Sequence, residues 1–133
     1  MNTVDRAKDD GTTITGIDIA SFLVSDPQRS IAFYRDVLGM TPTEIDRQGR
    51  GAEFALPDGA TFGVWKADAG QPAHGAAIMF AVGDAKAAVE RFRGAGLALS
   101  DPMESPVCFM SFGVDPDGNA IIIHQRKVDS SQG

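Results

Sequence analysis

Few residues of this sequence could carry chemistry. His124 ends an apolar run of strand length. A histidine ordinarily titrates close to neutral pH, so it is the candidate for a general acid or base. Cys108 lies within another apolar run, where a thiol is most simply a small buried hydrophobe. Trp65 ends a third apolar run and could stack against a ligand.

The elements that must position these residues are organised around one turn, Asp115–Asn119, with the sequence Asp-Pro-Asp-Gly-Asn. Proline presets one backbone angle, glycine permits a positive φ, and Asp and Asn bond local amides, so the segment predicts a hairpin. Pro57–Gly59 repeats the pattern 59 residues earlier, and residues 22–26 recur in kind at 80–84, an offset of 58. Two such offsets in the same order indicate a duplicated unit.

Each half of the chain predicts the order β-α-β-β-β, an α+β fold. Asp26 and Asp84 are the expected helix N-caps, and Pro27 is the expected first helical residue. The predicted strands are 17–24, 43–47, 52–56, 61–65, 77–82, 97–99, 108–114 and 120–126, and the predicted helices end near 38 and 93. Residues 101–106 are predicted to form a loop. The expected organisation is a disordered arm 1–13, a single domain 14–127 made of module 14–66, linker 67–75 and module 76–127, and a tail 128–133.

Composition narrows the class of protein. The 133 residues are 43% hydrophobic and 23% charged, which suits one globular domain. A net charge of −6 without a basic cluster argues against nucleic acid and anionic membranes as partners. Residues 1–13 are polar and lack the apolar core of a signal peptide, so a cytoplasmic location is expected. The single cysteine excludes an internal disulfide.

Several motifs together resemble the vicinal oxygen chelate superfamily, the group of glyoxalase I, bleomycin-resistance proteins, fosfomycin-resistance enzymes and extradiol dioxygenases. The motifs are Val24-Ser25-Asp26, Ser30, Phe33-Tyr34, Leu38-Gly39-Met40 and the turn Asp115–Asn119. The resemblance covers about residues 14–127. It implies two tandem βαβββ modules whose curled mixed sheets form a cleft, and a homodimer with clefts built from both subunits. It also implies a small-molecule ligand or substrate.

Enzymes of that superfamily usually hold a divalent metal at four symmetric strand positions. The first lies seven residues before the capping Asp and the last four residues after the glycine of the Asp-Pro-Asp-Gly turn. The matching residues here are Ile19, Gly63, Ala77 and Ile122, none of which carries a donor atom. Among their immediate neighbours only Asp18 could ligate. The resemblance therefore predicts neither a metal nor another cofactor for this chain.

Alternation along a strand places the companions of these positions on the same face. Ser21 follows Ile19, Trp65 follows Gly63, Met79 follows Ala77, and His124 follows Ile122. The predicted ligand-binding set is thus apolar and aromatic with few polar groups, as small-molecule sites usually are. Its members are Ile19, Ser21, Gly63, Trp65, Ala77, Met79, Ile122 and His124.

Three functions remain open on the sequence. The first is a metal-free protein that binds an amphipathic or aromatic small molecule, with Trp65 as its main contact. The second is a metal-independent enzyme with His124 as acid or base. The third is a metal-dependent lyase or dioxygenase with atypical ligands, Glu53, His74 and His124. The third ranks last because Glu53 and His74 fall outside the four symmetric positions and are expected on the surface.

Overall fold

The computed structural model describes residues 11–12 and 17–127. Two four-stranded mixed sheets carry short helices, which confirms the predicted α+β fold of two βαβββ modules. Apart from Gly11 and Thr12, the expected N-terminal arm lies outside the described residues, and so does the expected tail 128–133. No helix in the described part of the chain is long and apolar enough to cross a membrane.

The first module forms one sheet with strand order β1-β4-β3-β2. Its strands are β1 (Ile19–Val24), β2 (Glu44–Ile45), β3 (Gly51–Ala55) and β4 (Thr61–Lys66). Helix α1 (Pro27–Ala32) follows β1 and continues as a π-helical turn, Phe33–Val37. β1 runs parallel to β4, and the other neighbours are antiparallel.

The second module repeats this topology, with strand order β5-β8-β7-β6. Its elements are β5 (Ala77–Ala81), α2 (Ala85–Gly94), β6 (Met103–Glu104), β7 (Cys108–Val114) and β8 (Ala120–Arg126). β5 runs parallel to β8. Because each module uses the same crossover, the duplicated sequence signals correspond to a duplicated structure.

Local sequence signals account for both helix starts. The Asp26 carboxylate accepts a hydrogen bond from the Arg29 amide at 3.2 Å, with Pro27 at the first helical turn. The Asp84 carboxylate accepts one from the Ala87 amide at 3.1 Å. Both caps confirm the prediction, since each satisfies an amide that the helix leaves free.

The first helix continues to Val37 with Leu38 as its C-cap, as predicted, although it changes from α to π geometry after Ala32. One predicted element differs from the structure. The predicted strand 97–99 is wrong, because Leu97 and Leu99 instead bury their side chains against Gly113, where a Cβ would lie 2.9 Å from Leu99 Cδ2. The edge strand forms later, at Met103–Glu104, within the predicted loop.

One core serves both modules. Alternation along the strands buries Phe22, Phe62 and Ile123 on the helix side of their sheets. The Phe62 and Phe80 rings meet edge to face across the module junction, with centroids 5.2 Å apart. The opposite side of each sheet, here called its open face, carries the residues between these buried ones.

A buried polar contact also joins the modules. Tyr34, in the π-helical turn, donates its hydroxyl to Asp115 at 2.9 Å, and neither residue is exposed beyond 3%. Burial, reinforced by the Asp115 charge, raises the pKa of Tyr34 above its ordinary range. Asp115 also accepts the Asn119 amide at 2.8 Å and the Asn119 side chain at 3.2 Å. The Asp-Pro-Asp-Gly turn of one module is thereby fixed to the helix of the other.

Candidate functional site

Four of the predicted site residues share the open face of the first sheet. The register pairs Ile19 with Thr61 and Ser21 with Gly63, and Trp65 follows two residues after Gly63 on the same side. Phe22 and Val64, one residue away along their strands, are buried on the other side. The structure therefore brings Ile19, Ser21, Gly63 and Trp65 to one surface.

The Trp65 side chain lies on two glycines. A Cβ added to Gly51 would stand 2.5 Å from Cε3 of the indole and 2.8 Å from Cδ2. A Cβ added to Gly63 would stand 2.9 Å from Nε1 and 3.4 Å from Cδ1. Both glycines have ordinary negative or extended φ values, so their role is to leave space and not to permit an unusual backbone. The two ends of the indole thus rest directly on the backbone of β3 and β4.

The outer side of the indole remains available to a ligand. Trp65 is half-buried, and it borders a pocket of about 350 Å³ on the open face. The Ser21 hydroxyl stands beside the indole N–H, since the same Gly63 Cβ would also lie 2.7 Å from Ser21 Oγ. Within residues 17–127 neither the Ser21 hydroxyl nor the indole N–H makes a hydrogen bond. The open face therefore offers an aromatic surface that lines the pocket, and two free donors beside that surface.

Acidic side chains form the other wall of this pocket. Its lining residues are Glu44, Ile45, Asp46, Arg47, Glu53 and Trp65. Glu53 is the direct cross-strand partner of Gly63, and it is half-buried on the open face beside Trp65. The signal that could have found it is the hairpin register, because the Pro57–Gly59 turn fixes which residue of β3 faces Gly63.

The other four predicted residues share the open face of the second sheet. The register pairs Met79 with Ile122, and His124 stands between Ala81 and Met110. This surface is apolar and exposed, with exposed fractions of 50% for Met79 and 56% for Val114. Ala77, Met79, Ile122 and His124 are therefore brought together, beside Phe112, which sequence reasoning did not name.

The two groups of four are not brought together within one chain. The modules meet through their core sides and through the Asp115–Asn119 turn. Among residues 17–127, no hydrogen bond or ring contact links an open-face side chain of one sheet to one of the other. Each chain consequently presents two separate open faces.

His124 has no orienting group in the described part of the chain. Its imidazole makes no hydrogen bond there, and its cross-strand neighbours Ala81 and Met110 carry no ionisable group. Glu53 belongs to the first sheet, His124 to the second, and His74 to the connection between them. Across the described ranges, no three His, Cys, Asp or Glu side chains form a group able to hold a metal ion.

This chain is similar to known proteins in sequence pattern and in fold. A sequence model described as the Glyoxalase/Bleomycin resistance protein/Dioxygenase superfamily matches residues 16–123. This chain belongs to that superfamily. No curated protein matches the chain in sequence.

Solved structures share the fold of this superfamily member. TnmS3, an antibiotic binding protein from Streptomyces sp. CB03234, superposes with a TM-score of 0.77 at 22% identity, covering 87% of this chain and 99% of that one. A putative glyoxalase family protein from Bacillus anthracis gives 0.73 at 21%, covering 87% and 98%. Lactoylglutathione lyase from Agrobacterium tumefaciens gives 0.68 at 20%, covering 84% and 94%. At these identities the likeness establishes the fold alone.

The residues of this superfamily member do not fit the divalent metal that the fold implies. Ile19 and Gly63 on one sheet, and Ala77 and Ile122 on the other, supply no oxygen, nitrogen or sulfur donor. Gly63 also cannot be regarded as a vacant ligand position, because the Trp65 indole and Ser21 Oγ occupy the space of its missing side chain.

A second cavity lies on the core side, between the modules, with a volume of about 310 Å³. It is lined by Leu38, Met40, Leu56, Pro57, Asp58, Phe80, Ala81, Val82, Phe92 and Ile123. This lining is apolar apart from Asp58 and includes none of the predicted site residues. A ligand site ordinarily combines apolar walls with convergent polar groups, so the pocket beside Trp65 is the better candidate.

Proposed function

We propose that this chain binds a small molecule with a planar aromatic part, without a resident metal and without catalysis. The observation that carries the proposal is the Trp65 indole lying on Gly51 and Gly63 with its outer side open. A ring held this way loses little conformational freedom when a ligand stacks on it, so stacking and area burial are gained at low entropic cost.

One protein of the same fold is described by a binding function, which supports this proposal. TnmS3 is described as an antibiotic binding protein, and it shares the fold over nearly its whole length. By analogy, the proposed ligand class for this chain includes antibiotics with a planar aromatic part. The Ser21 hydroxyl and the indole N–H would fix the orientation of such a ligand through its polar substituents.

We also propose that the chain forms a homodimer in which the second sheet of one subunit covers the first sheet of its partner. Within one chain the two open faces do not meet. The second face exposes Met79, Phe112 and Val114, and large exposed apolar surfaces commonly mark interaction sites. Methionine side chains adapt readily to a bound surface. The eight predicted ligand-binding residues, from Ile19 to His124, would then line one cleft.

The proposed homodimer can be tested by sedimentation. It should give twice the chain mass at micromolar concentration, and a monomer would contradict this arrangement.

Fluorescence provides a direct test, because Trp65 is the single tryptophan of the chain. The probes are a panel of planar aromatic compounds that includes bleomycin. A ligand that stacks on the indole should quench the emission in a saturable way. Calorimetry should then show that Trp65→Leu weakens the same ligand by about tenfold or more, given the energy of an aromatic pair plus its buried area.

The matched control is Phe109→Leu, which removes another half-buried aromatic ring on the opposite side of the second sheet. This variant should bind as the wild type does. Binding that survives Trp65→Leu unchanged would refute the proposed site. Conversion of a bound compound that stops in His124→Ala would instead establish catalysis.

A further inference from the structure

We propose that the pocket beside Trp65 selects a cationic ligand, whose positive group lies against Glu44 and Glu53. This inference rests on the proposed function, because the stacked indole defines the site. The carboxylates decide only which aromatic ligands it prefers. The class is a planar aromatic ring that bears a protonated amine or a quaternary nitrogen.

The two glutamates form a like-charge pair on the open face. Glu44 of β2 and Glu53 of β3 are direct cross-strand partners, and Glu53 is in turn the partner of Gly63. Their side chains point away from the core because Ala52 and Phe54, on either side of Glu53, are buried. Like charges directly opposite each other destabilise a strand pair. The arrangement therefore lowers the stability of the fold. A role in binding a cation would account for its presence.

No cation of the described chain neutralises this pair. Among residues 17–127 neither carboxylate takes part in a hydrogen bond or a salt bridge. Arg47 is the one cationic residue in the lining, against three carboxylates. The third, Asp46, is already engaged, since it accepts the Arg50 amide at 3.0 Å. Glu44 and Glu53 thus remain as two uncompensated negative charges beside the open indole.

A cation is favoured by both walls of such a pocket. The ring face of an indole attracts a positive charge through its quadrupole, and a carboxylate attracts it directly. When an aromatic ligand covers the pocket and displaces water, both attractions strengthen. The same change would penalise an anionic ligand, which would bring a third negative charge against Glu44 and Glu53. Carboxylate-bearing and phosphate-bearing compounds should therefore bind poorly.

Two dyes of nearly the same shape separate charge from stacking. Proflavine is a cation at neutral pH, whereas the parent ring acridine is largely neutral there. Both are titrated against the full chain at low ionic strength, with quenching of Trp65 as the readout. We expect proflavine to bind about tenfold more tightly than acridine, and to lose most of that advantage at high salt.

The variants assign the preference to residues. In Glu44→Gln/Glu53→Gln, proflavine should weaken by about tenfold while acridine is unchanged. The control Glu90→Gln removes one carboxylate charge from the exposed side of α2, away from the pocket. It should leave the affinity for both dyes unchanged. The double variant should also melt at a higher temperature than the wild type, because it relieves the cross-strand repulsion.

Equal affinities for the two dyes, or a proflavine affinity that survives the double variant, would overturn the charge preference and leave stacking on Trp65 intact. If neither dye quenches Trp65, the charge preference is also refuted. The proposed function then stands only if another member of the aromatic panel binds, so the two failures are distinguishable.

Discussion

The glycines beneath Trp65 give the sharpest test of the site, through the substitution Gly63→Ala. The added methyl would lie 2.7 Å from Ser21 Oγ and 2.9 Å from Trp65 Nε1. Both distances are under 3.0 Å, which real Cβ atoms essentially never show, and ordinary contact at 3.4 Å requires both side chains to move by roughly half an ångström or more. Because side chains and not backbone atoms are displaced, we expect a modest loss of stability, about 1–2 kcal/mol.

Binding should suffer more than stability in Gly63→Ala. The indole can escape the methyl only by tilting away from the sheet, which changes the plane against which a ligand stacks. We expect the affinity for a quenching ligand to fall by about tenfold. The emission maximum of Trp65 should also move to longer wavelength, because a lifted indole is more exposed to water.

Two further glycine substitutions calibrate this result. In Gly51→Ala the methyl would clash with the Val64 carbonyl oxygen, which is backbone and cannot move without disturbing the β3–β4 pairing. That variant should lose about 3 kcal/mol or more. In Gly94→Ala no atom lies within 4 Å, and the residue is helical, so stability should rise by up to about 1 kcal/mol.

Urea unfolding of the three variants measures these differences, with far-ultraviolet dichroism as the probe of folding and Trp65 emission as the probe of the site. The expected order of stability is Gly94→Ala, wild type, Gly63→Ala and Gly51→Ala, from highest to lowest. A Gly63→Ala protein with unchanged emission and unchanged ligand affinity would refute the claim that the indole rests on that glycine in solution.

Three other predictions concern the rest of the molecule. Tyr34→Phe should cost about 2 kcal/mol in urea unfolding, since it removes one hydrogen bond to the buried Asp115 carboxylate and leaves the Asn119 donors in place; a loss below about 0.5 kcal/mol would show that the contact is unimportant. His124→Ala should leave the affinity of a Trp65-quenching ligand within about twofold, because the imidazole has no orienting partner in the described part of the chain; a tenfold loss would place His124 among the binding residues. Elemental analysis after dialysis should find no stoichiometric zinc, nickel, iron or manganese, and one tightly held ion per chain would restore the metal-dependent hypothesis.

The parts of the fold that sequence reasoning predicted well are those fixed by neighbours in the chain. Asp26 and Asp84 cap their helices through amides three residues away. Gly59 and Gly118 have φ values of 90° and 86°, as the two turns require. These signals are local, so one sequence was enough to place both modules and their order.

The features that sequence reasoning missed depend on distant contacts. The π-helical turn contains Tyr34, whose hydroxyl partner is 81 residues away in sequence. The short strand β6 forms where Met103 meets Met110, and no periodicity marks a two-residue strand. Likewise, the glycine support of Trp65 requires the pairing of Gly51 with Trp65. Such a pairing follows only once the register is known.

The candidate site shows the same difference between what local sequence predicts and what depends on distant contacts. Strand alternation was sufficient to choose residues that share a face, because side-chain direction has a period of two. It could not reveal that Glu44 and Glu53 lie beside Trp65, since that depends on cross-strand partners. Nor could it show that Gly63 is a support for an indole instead of a lost metal ligand. The absence of a donor at a family position became informative only when the structure showed what fills the space.

The separation of the two open faces follows from how the core is built. Phe62 and Phe80 meet on the core side, and Tyr34 reaches Asp115 across the same junction, so the contacts that unite the modules hold their helix sides together. The open faces are then left for other partners. Under the proposed function, a single chain would stack a ligand on Trp65 but would cover only one side of it. Enclosure of that ligand requires a second apolar surface, and the exposed face around Met79 and Phe112 is the one that another copy of the chain would bring.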